Sequence, residues 1–165
     1  MAKKGKAHRP PAVGASLPSP VNNAAFEVDM TATAEATYKD LYRAAKAAEQ
    51  RGEYASSHIT KFEMVRDAVK RIIPAEPLSK KHALRGELSN LFRLKKGRMR
   101  ICWIASSKLH RVCIMFISET LRKAGDASDP YAILHNMVDS GTFDAIFTQF
   151  GVRMPRLKGR TDKTQ

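Results

Sequence analysis

Tyr38, Leu41, Tyr42, Ala45 and Ala48 recur at three- and four-residue spacing in an Ala-rich stretch, which predicts an amphipathic helix over about 32–50, stopped at Arg51-Gly52. A second stripe, Phe62, Val65, Val69 and Ile72, predicts a helix from about 57 to 73, ended by Pro74. The two are expected to pair as an antiparallel hairpin whose apolar stripes serve a core and carry no chemistry. The period then changes to two. The stretch LFRLKKGRMRICWI (91–104) alternates, and VCIMFI (112–117) is a continuous apolar run, as in a strand covered on both faces. Shorter helical patterns follow over about 129–138 and 142–150, and no internal repeat is visible. Helix, helix, three strands, helix, helix predicts an α+β fold: an N-terminal helical hairpin packed on a small twisted antiparallel sheet, with short C-terminal helices.

The alternating stretch holds Arg93, Lys95, Lys96, Arg98 and Arg100, five cations in eight positions. With Lys96-Gly97 as a two-residue turn, Gly taking the positive φ, Lys95 lies opposite Arg98, Leu94 opposite Met99, Arg93 opposite Arg100 and Phe92 opposite Ile101. Opposed residues share a face. One face is then apolar (Phe92, Leu94, Met99, Ile101, Trp103) and the other wholly cationic (Arg93, Lys95, Arg98, Arg100). Like charges opposed across a ladder destabilise it, so a merely solvated face would mix signs. Protection of a sheet edge explains one or two cations, not four on one face. The pattern predicts a phosphate-binding surface.

Composition extends this reading. Twenty-nine Lys and Arg against sixteen Asp and Glu give a formal charge of +13, which attracts polyanions: nucleic acid, an acidic protein or an anionic membrane surface. The membrane is the weakest candidate. No apolar run approaches the roughly 18 residues of a spanning helix, and no signal-peptide core follows the basic start, so a soluble, cytoplasmic protein is expected. A chain of 165 residues, 43% hydrophobic, supports one core and therefore one domain, placed at 25–152. The basic arm at 1–24 and the basic tail at 153–165 have too little apolar surface to offset the entropy of ordering and are expected to be disordered. Cys102 and Cys113 sit in strand-like apolar runs and read as buried structural thiols. No His pair has zinc-ligand spacing, so neither metal nor cofactor is expected. Of His82, His110 and His135, only His135 is weighed as an acid or base, because it follows Tyr131 by four residues on one helical face. Asp126 and Asp129 read as a loop ion pair or a helix N-cap, with Asp129-Pro130 opening a helix.

The run RGELSNLFRLKKGRMRICWIASSKLHRVCIMFIS, followed by ETLRKAGDASDPYAILHNMVDSG, resembles the bacterial RelE/ParE superfamily of toxins, and within it the YhaV-like branch. That branch has a basic hairpin with a central RyR step, a hydrophobic strand, a tLRk-G-k-DpY segment and a short helix ending near Gly. The resemblance covers about 38–141, and TLRKAGDASDPY is its most specific part. Where the branch has an aromatic residue and an Asn before that segment, this chain has Phe116-Ile117-Ser118. The resemblance implies a RelE-like fold and the toxin of a type II toxin–antitoxin system. It implies an endoribonuclease that cuts mRNA without a metal, commonly in the ribosomal A site. The implied partners are mRNA, the ribosome and a cognate antitoxin of the AbrB-like swapped-hairpin type, with no membrane.

By resemblance, the basic positions of the first hairpin strand fall on Arg93 and Lys95, the RyR position on Arg100, the Arg after the third strand on Arg122, and the closing Tyr on Tyr131. Lys96, Arg98, Arg111 and Lys123 are expected to add RNA-binding charge. Scission through the RNA 2′-hydroxyl needs a base, cations for the phosphate and an acid for the departing oxygen. Lys95, crowded by guanidinia that disfavour its protonated form, is the candidate base. Arg93, Arg100 and Arg122 suit the phosphate. Tyr131 suits stacking on a base, with hydrogen-bond donation as a second option. The acid is unassigned, with His135 as a candidate. The alternatives are a toxin of the same fold that binds a protein such as gyrase, and a non-catalytic nucleic-acid-binding relative. The complete set of five favours the enzyme.

Overall fold

A computed structural model describes residues 25–119 and 125–153. The predicted arm at 1–24, all of the predicted tail beyond Arg153, and Arg122 and Lys123 lie outside the described residues. The strands are β1 (Glu27–Met30), β2 (Phe92–Lys96), β3 (Met99–Ser106) and β4 (Arg111–Ser118). The helices are α1 (Ala32–Gln50), α2 (Ser57–Asp67), α3 (Ile73–Ala75), α4 (Pro130–Asp139) and α5 (Asp144–Gln149).

Helix α1 has the predicted bounds. Its N-cap, Thr31, accepts from the Ala34 N–H and donates through the same hydroxyl to the Met115 carbonyl at 2.8 Å, tying the helix start to β4. The helical run that α2 begins does not stop before Pro74. It winds through a π-turn at Ala68–Ile72, where the Ile73 N–H donates to Ala68 O, and continues for the single turn α3. Pro74 stands in the opening of that turn, where its missing N–H costs little.

The sheet order is β1-β4-β3-β2. Strands β2, β3 and β4 are antiparallel, as expected, but β1 pairs parallel to β4, so the sheet has four strands and is mixed. The sequence reading missed β1 because it is only four residues long and adjoins a polar arm. The hairpin turn also differs. Lys96 pairs with Met99 and Lys95 with Arg100, which makes Gly97-Arg98 the loop, with Gly97 at φ +54°. Each strand of the pair shifts by one residue relative to the expected register. The shift preserves side-chain parity, so the apolar face survives and Arg93, Lys95 and Arg100 stay together on the other, but Arg98 leaves that face for the loop and Arg93 now opposes Cys102. Between Cys102 and Trp103 the β3–β4 register slips by one residue. This bulge lets both Met115 and Phe116 enter the core on the α4 side and returns Ile117 to the α1 side.

Both sheet faces are covered, which explains the unbroken apolar run of β4. On one face Leu94, Met99, Ile101 and Trp103 meet Leu41, Val65 and Val69 of the helical hairpin region. Trp103 is fully buried, and its indole N–H donates to Pro77 O at 2.9 Å, so the ring is buried without an orphaned donor. On the other face Cys102, Ile104 and Met115 meet Leu134 and Val138 of α4 and Phe147 of α5.

Arg100 is only 5% exposed. Its Nη1 donates to the carbonyls of Gly97 (2.9 Å) and Met99 (3.1 Å), so it closes its own turn. Burial pushes the Cys102 thiol up to about 12 and the Cys113 thiol up to about 11.

Arg100→Ala should therefore destabilise the fold by about 2 kcal/mol. Arg98→Ala, at an exposed turn position, should stay within about 0.5 kcal/mol; urea titration of both checks this. Neither thiol should react with a disulfide reagent at pH 8 in the native protein, because the thiolate is scarce and covered, and both should react once urea unfolds it.

Candidate active site

Tyr131 is placed by the start of α4. Asp129, 5% exposed, caps the helix by accepting from the N–H groups of Tyr131 (3.2 Å) and Ala132 (3.4 Å), and Pro130 supplies the first helical φ. Leu134 and Val138, three and seven residues on, lie on the same side of α4 as Tyr131 and enter the core, so that side of the helix faces the sheet. There the Arg93 guanidinium carbon lies 5.4 Å from the centroid of the Tyr131 ring, and Nη1 donates to the phenol oxygen. One contact is cation–π and the other a hydrogen bond, and together they fix both side chains.

Arg93, Lys95 and Arg100 lie on this same face, with Lys95 exposed, Arg93 half-buried and Arg100 buried. Lys95 is directly opposite Arg100, and Arg93 opposite Cys102, whose thiol feels the positive fields of both Arg93 and Arg100 as smaller effects beside burial. Beside Arg93 and Tyr131 opens a cleft of about 660 Å³, lined by Lys80, Lys81, Ala83, Leu84, Arg85 and Leu88. This wall precedes β2. It is held against the strand by the Leu84 N–H donating to Leu91 O at 2.9 Å and by an antiparallel bridge between Ala83 and Phe92.

Among the described residues, Arg93, Lys95, Arg98 and Arg100 form no ion pair. Arg93 is held by a phenol and Arg100 by two carbonyls. Neutral acceptors fix a guanidinium without cancelling its charge, so the positive potential stays available to an anion. Burial first, and then Lys81, hold the His82 imidazole below its ordinary range, so it adds no charge at neutral pH.

The predicted residues sort into three groups. Arg93 and Tyr131 are in contact, and Lys95 and Arg100 stand opposite each other on the same face of the hairpin, outside the lining of the cleft. His135 is one helical turn past Tyr131, and its Nε2 lies 3.1 Å from the Glu87 carboxylate. Lys96 is exposed on the opposite face, near enough to α2 to help lower the Asp67 carboxyl, whose main partner is Arg71. Arg111 is at the far end of β4, about 20 Å along the strand from Ser118, half-buried and paired to Asp29 at 2.5 Å. Lys96 and Arg111 are thus not part of this cleft. Asp126 accepts from the Ser128 backbone and hydroxyl, so with Asp129 as a cap the two aspartates shape the loop and the helix start. Lys80, Lys81 and Arg85 were missed. Their only signal was a KK…R pattern in an irregular stretch, where charge carries no face information. Among the described residues no three His, Cys, Asp or Glu side chains come together, and no helix is long and apolar enough to cross a membrane.

Three solved structures share features of this chain. A chain of the RelBE2 toxin–antitoxin complex of Mycobacterium tuberculosis is 21% identical, over 57% of this chain and 90% of that one, with a TM-score of 0.41. The isolated RelE toxin of E. coli is 14% identical, over 69% and 99%, with a TM-score of 0.44. A mutant of that toxin in complex with a peptide of the antitoxin RelB is 12% identical, over 67% and 95%, with a TM-score of 0.40. No curated protein sequence matches the chain. The family model described as a toxin with endonuclease activity, of a toxin–antitoxin system, matches residues 27–152. That span contains the hairpin, the cleft and α4, and the chain belongs to this YhaV toxin family.

Proposed function

We propose that this toxin is an endoribonuclease that cuts mRNA through the RNA's own 2′-hydroxyl, acting at the ribosome in the cytoplasm, with its toxin domain at 25–152. The observation that carries this reading is the contact of Arg93 with Tyr131 inside a cationic cleft. A phosphodiester seated there meets guanidinia that are fixed but not neutralised, while the Tyr131 ring offers a stacking surface for an unpaired base.

In this mechanism Lys95 takes the 2′-hydroxyl proton as the 2′-oxygen attacks phosphorus, which leaves a 2′,3′-cyclic phosphate and a departing 5′-oxygen. Arg93 and Arg100 hold the charge that builds on the phosphate oxygens, with Arg122 as the third cation by resemblance. A phenol that accepts from a guanidinium is still a donor in its own right, which makes Tyr131 one candidate for protonating the 5′-oxygen; His135, one turn along α4, is the other. Arg98 supplies supporting charge at the turn, and Lys123 does so by resemblance.

We infer that a cognate antitoxin, of the AbrB-like swapped-hairpin type, covers this cationic face. A toxin–antitoxin family supports it, as does a face whose cations Arg93, Lys95, Arg98 and Arg100 form no ion pair among the described residues. A binding-only toxin of the same fold would have no need to hold Arg93 on Tyr131.

Mapping RNA 5′ ends after induction tests the activity: discrete cuts in reading frame are expected, and wild-type protein that stays toxic while leaving RNA intact would point to protein binding instead. Arg93→Ala should lower kcat about 100-fold or more with little change in melting temperature. Lys95→Arg keeps the charge but puts a guanidinium, which does not release its proton, in place of the proposed base, so it should lose about 100-fold in rate while still binding RNA; single-turnover cleavage and filter binding separate the two effects.

A further inference from the structure

The cleft extends past the residues needed for scission, and its outer wall is chemically sorted. Lys80 and Arg85 are exposed at its rim, and among the described residues neither is in an ion pair. Lys81 differs, because its ammonium lies 2.5 Å from the Glu76 carboxylate. Ala83, Leu84 and Leu88 supply apolar lining facing Tyr131. The wall is not a loose loop: it is bridged to β2 at Ala83, and the Leu84 N–H donates to the carbonyl of Leu91, the residue before that strand.

Position along β2 decides what this wall would meet. Lys95 lies at the turn end of the strand, Arg93 about 7 Å further back, and the bridged wall adjoins the start of the strand at Phe92. An RNA chain whose scissile phosphate sits at Lys95 and Arg93 and that continues along β2 would bring its next nucleotide into the cleft. Its base would lie between Tyr131 and the apolar lining, and its phosphate against Lys80 and Arg85.

We infer that Lys80 and Arg85 form a second phosphate subsite, for the nucleotide next to the cut, and that the cleft between them and Tyr131 takes that nucleotide's base. This rests on the RNA-cleavage reading and adds a length requirement to it: the RNA must extend at least one phosphorylated nucleotide past the cut on that side. A base paired in a duplex cannot enter such a cleft, because its faces are already stacked.

The test uses the full chain, the Lys80→Gln/Arg85→Gln double variant and a single-stranded RNA with one mapped cut. The same RNA is then made with a neutral methylphosphonate at either flanking linkage. For wild type, one of the two replacements should raise KM about tenfold and leave kcat within twofold. The double variant should show the raised KM on the unmodified RNA, no further response to that methylphosphonate, and a salt dependence of binding shallower by about 0.7 in log–log slope. Binding to an RNA with 2′-O-methyl at the cut reads the subsite without cleavage. Wild-type failure to cut any RNA therefore overturns the nuclease reading alone. A double variant with wild-type KM, salt slope and methylphosphonate response overturns the subsite. Thermal melts of the variant confirm that only exposed side chains were changed.

Discussion

The geometry of the site depends on how a two-stranded ribbon carries several like charges on one face. Across β2 and β3, Lys95 opposes Arg100 and Arg93 is two residues away, an arrangement that repels itself. It is held by oxygen atoms that bear no formal charge: the Gly97 and Met99 carbonyls for Arg100 and the Tyr131 phenol for Arg93. A carboxylate would have bound each guanidinium more strongly and removed the potential a phosphate needs. The apolar side of the same ribbon offsets the repulsion, because Leu94, Met99, Ile101 and Trp103 are all buried against the helical hairpin.

Elsewhere the chain treats cations differently. On the outer surface of α1 and α2, Lys39 pairs with Glu35, Arg43 with Asp40, Lys46 with Glu49 and Arg71 with Asp67. Each exposed pair is worth little to stability, yet together they leave that surface sign-balanced. Arg111 is neutralised by Asp29, which also ties β1 to β4. Much of the unbalanced charge among the described residues therefore gathers around β2, the turn and the wall before it, and that asymmetry would guide a polyanion to the cleft.

Much of the architecture could be read from residue order because it rests on local rules. The bounds of α1 follow from periodicity and a turn at Gly52, and Asp129-Pro130 announced the start of α4 through capping chemistry. The apolar face and three of the four cations of the other face were correct although the turn was misplaced, since a shift of one residue on each strand preserves parity, and only Arg98 moved into the loop. The same locality explains the misses. Strand β1 is recognisable only through its parallel pairing to β4, more than eighty residues away in sequence. The helical run begun by α2 passes Pro74 because, after the π-turn, Pro74 stands in the opening of α3, where no N–H is required of it. Lys96 and Arg111 were expected to add RNA-binding charge, yet one faces α2 and the other an aspartate at the far end of the sheet.

What the residues alone determined is which side chains share a face, because alternation along a strand and the four-residue return along a helix are properties of the backbone. They placed Arg93, Lys95 and Arg100 together, and Tyr131 beside His135. Tertiary structure decided which of those faces meet. The packing of α4 brings Tyr131 onto Arg93, the bridged segment before β2 adds Lys80 and Arg85, and the turn buries Arg100 against its own carbonyls. Such contacts join segments dozens of residues apart, and their energy lies in burial and complementary fit between faces, which no local spacing encodes.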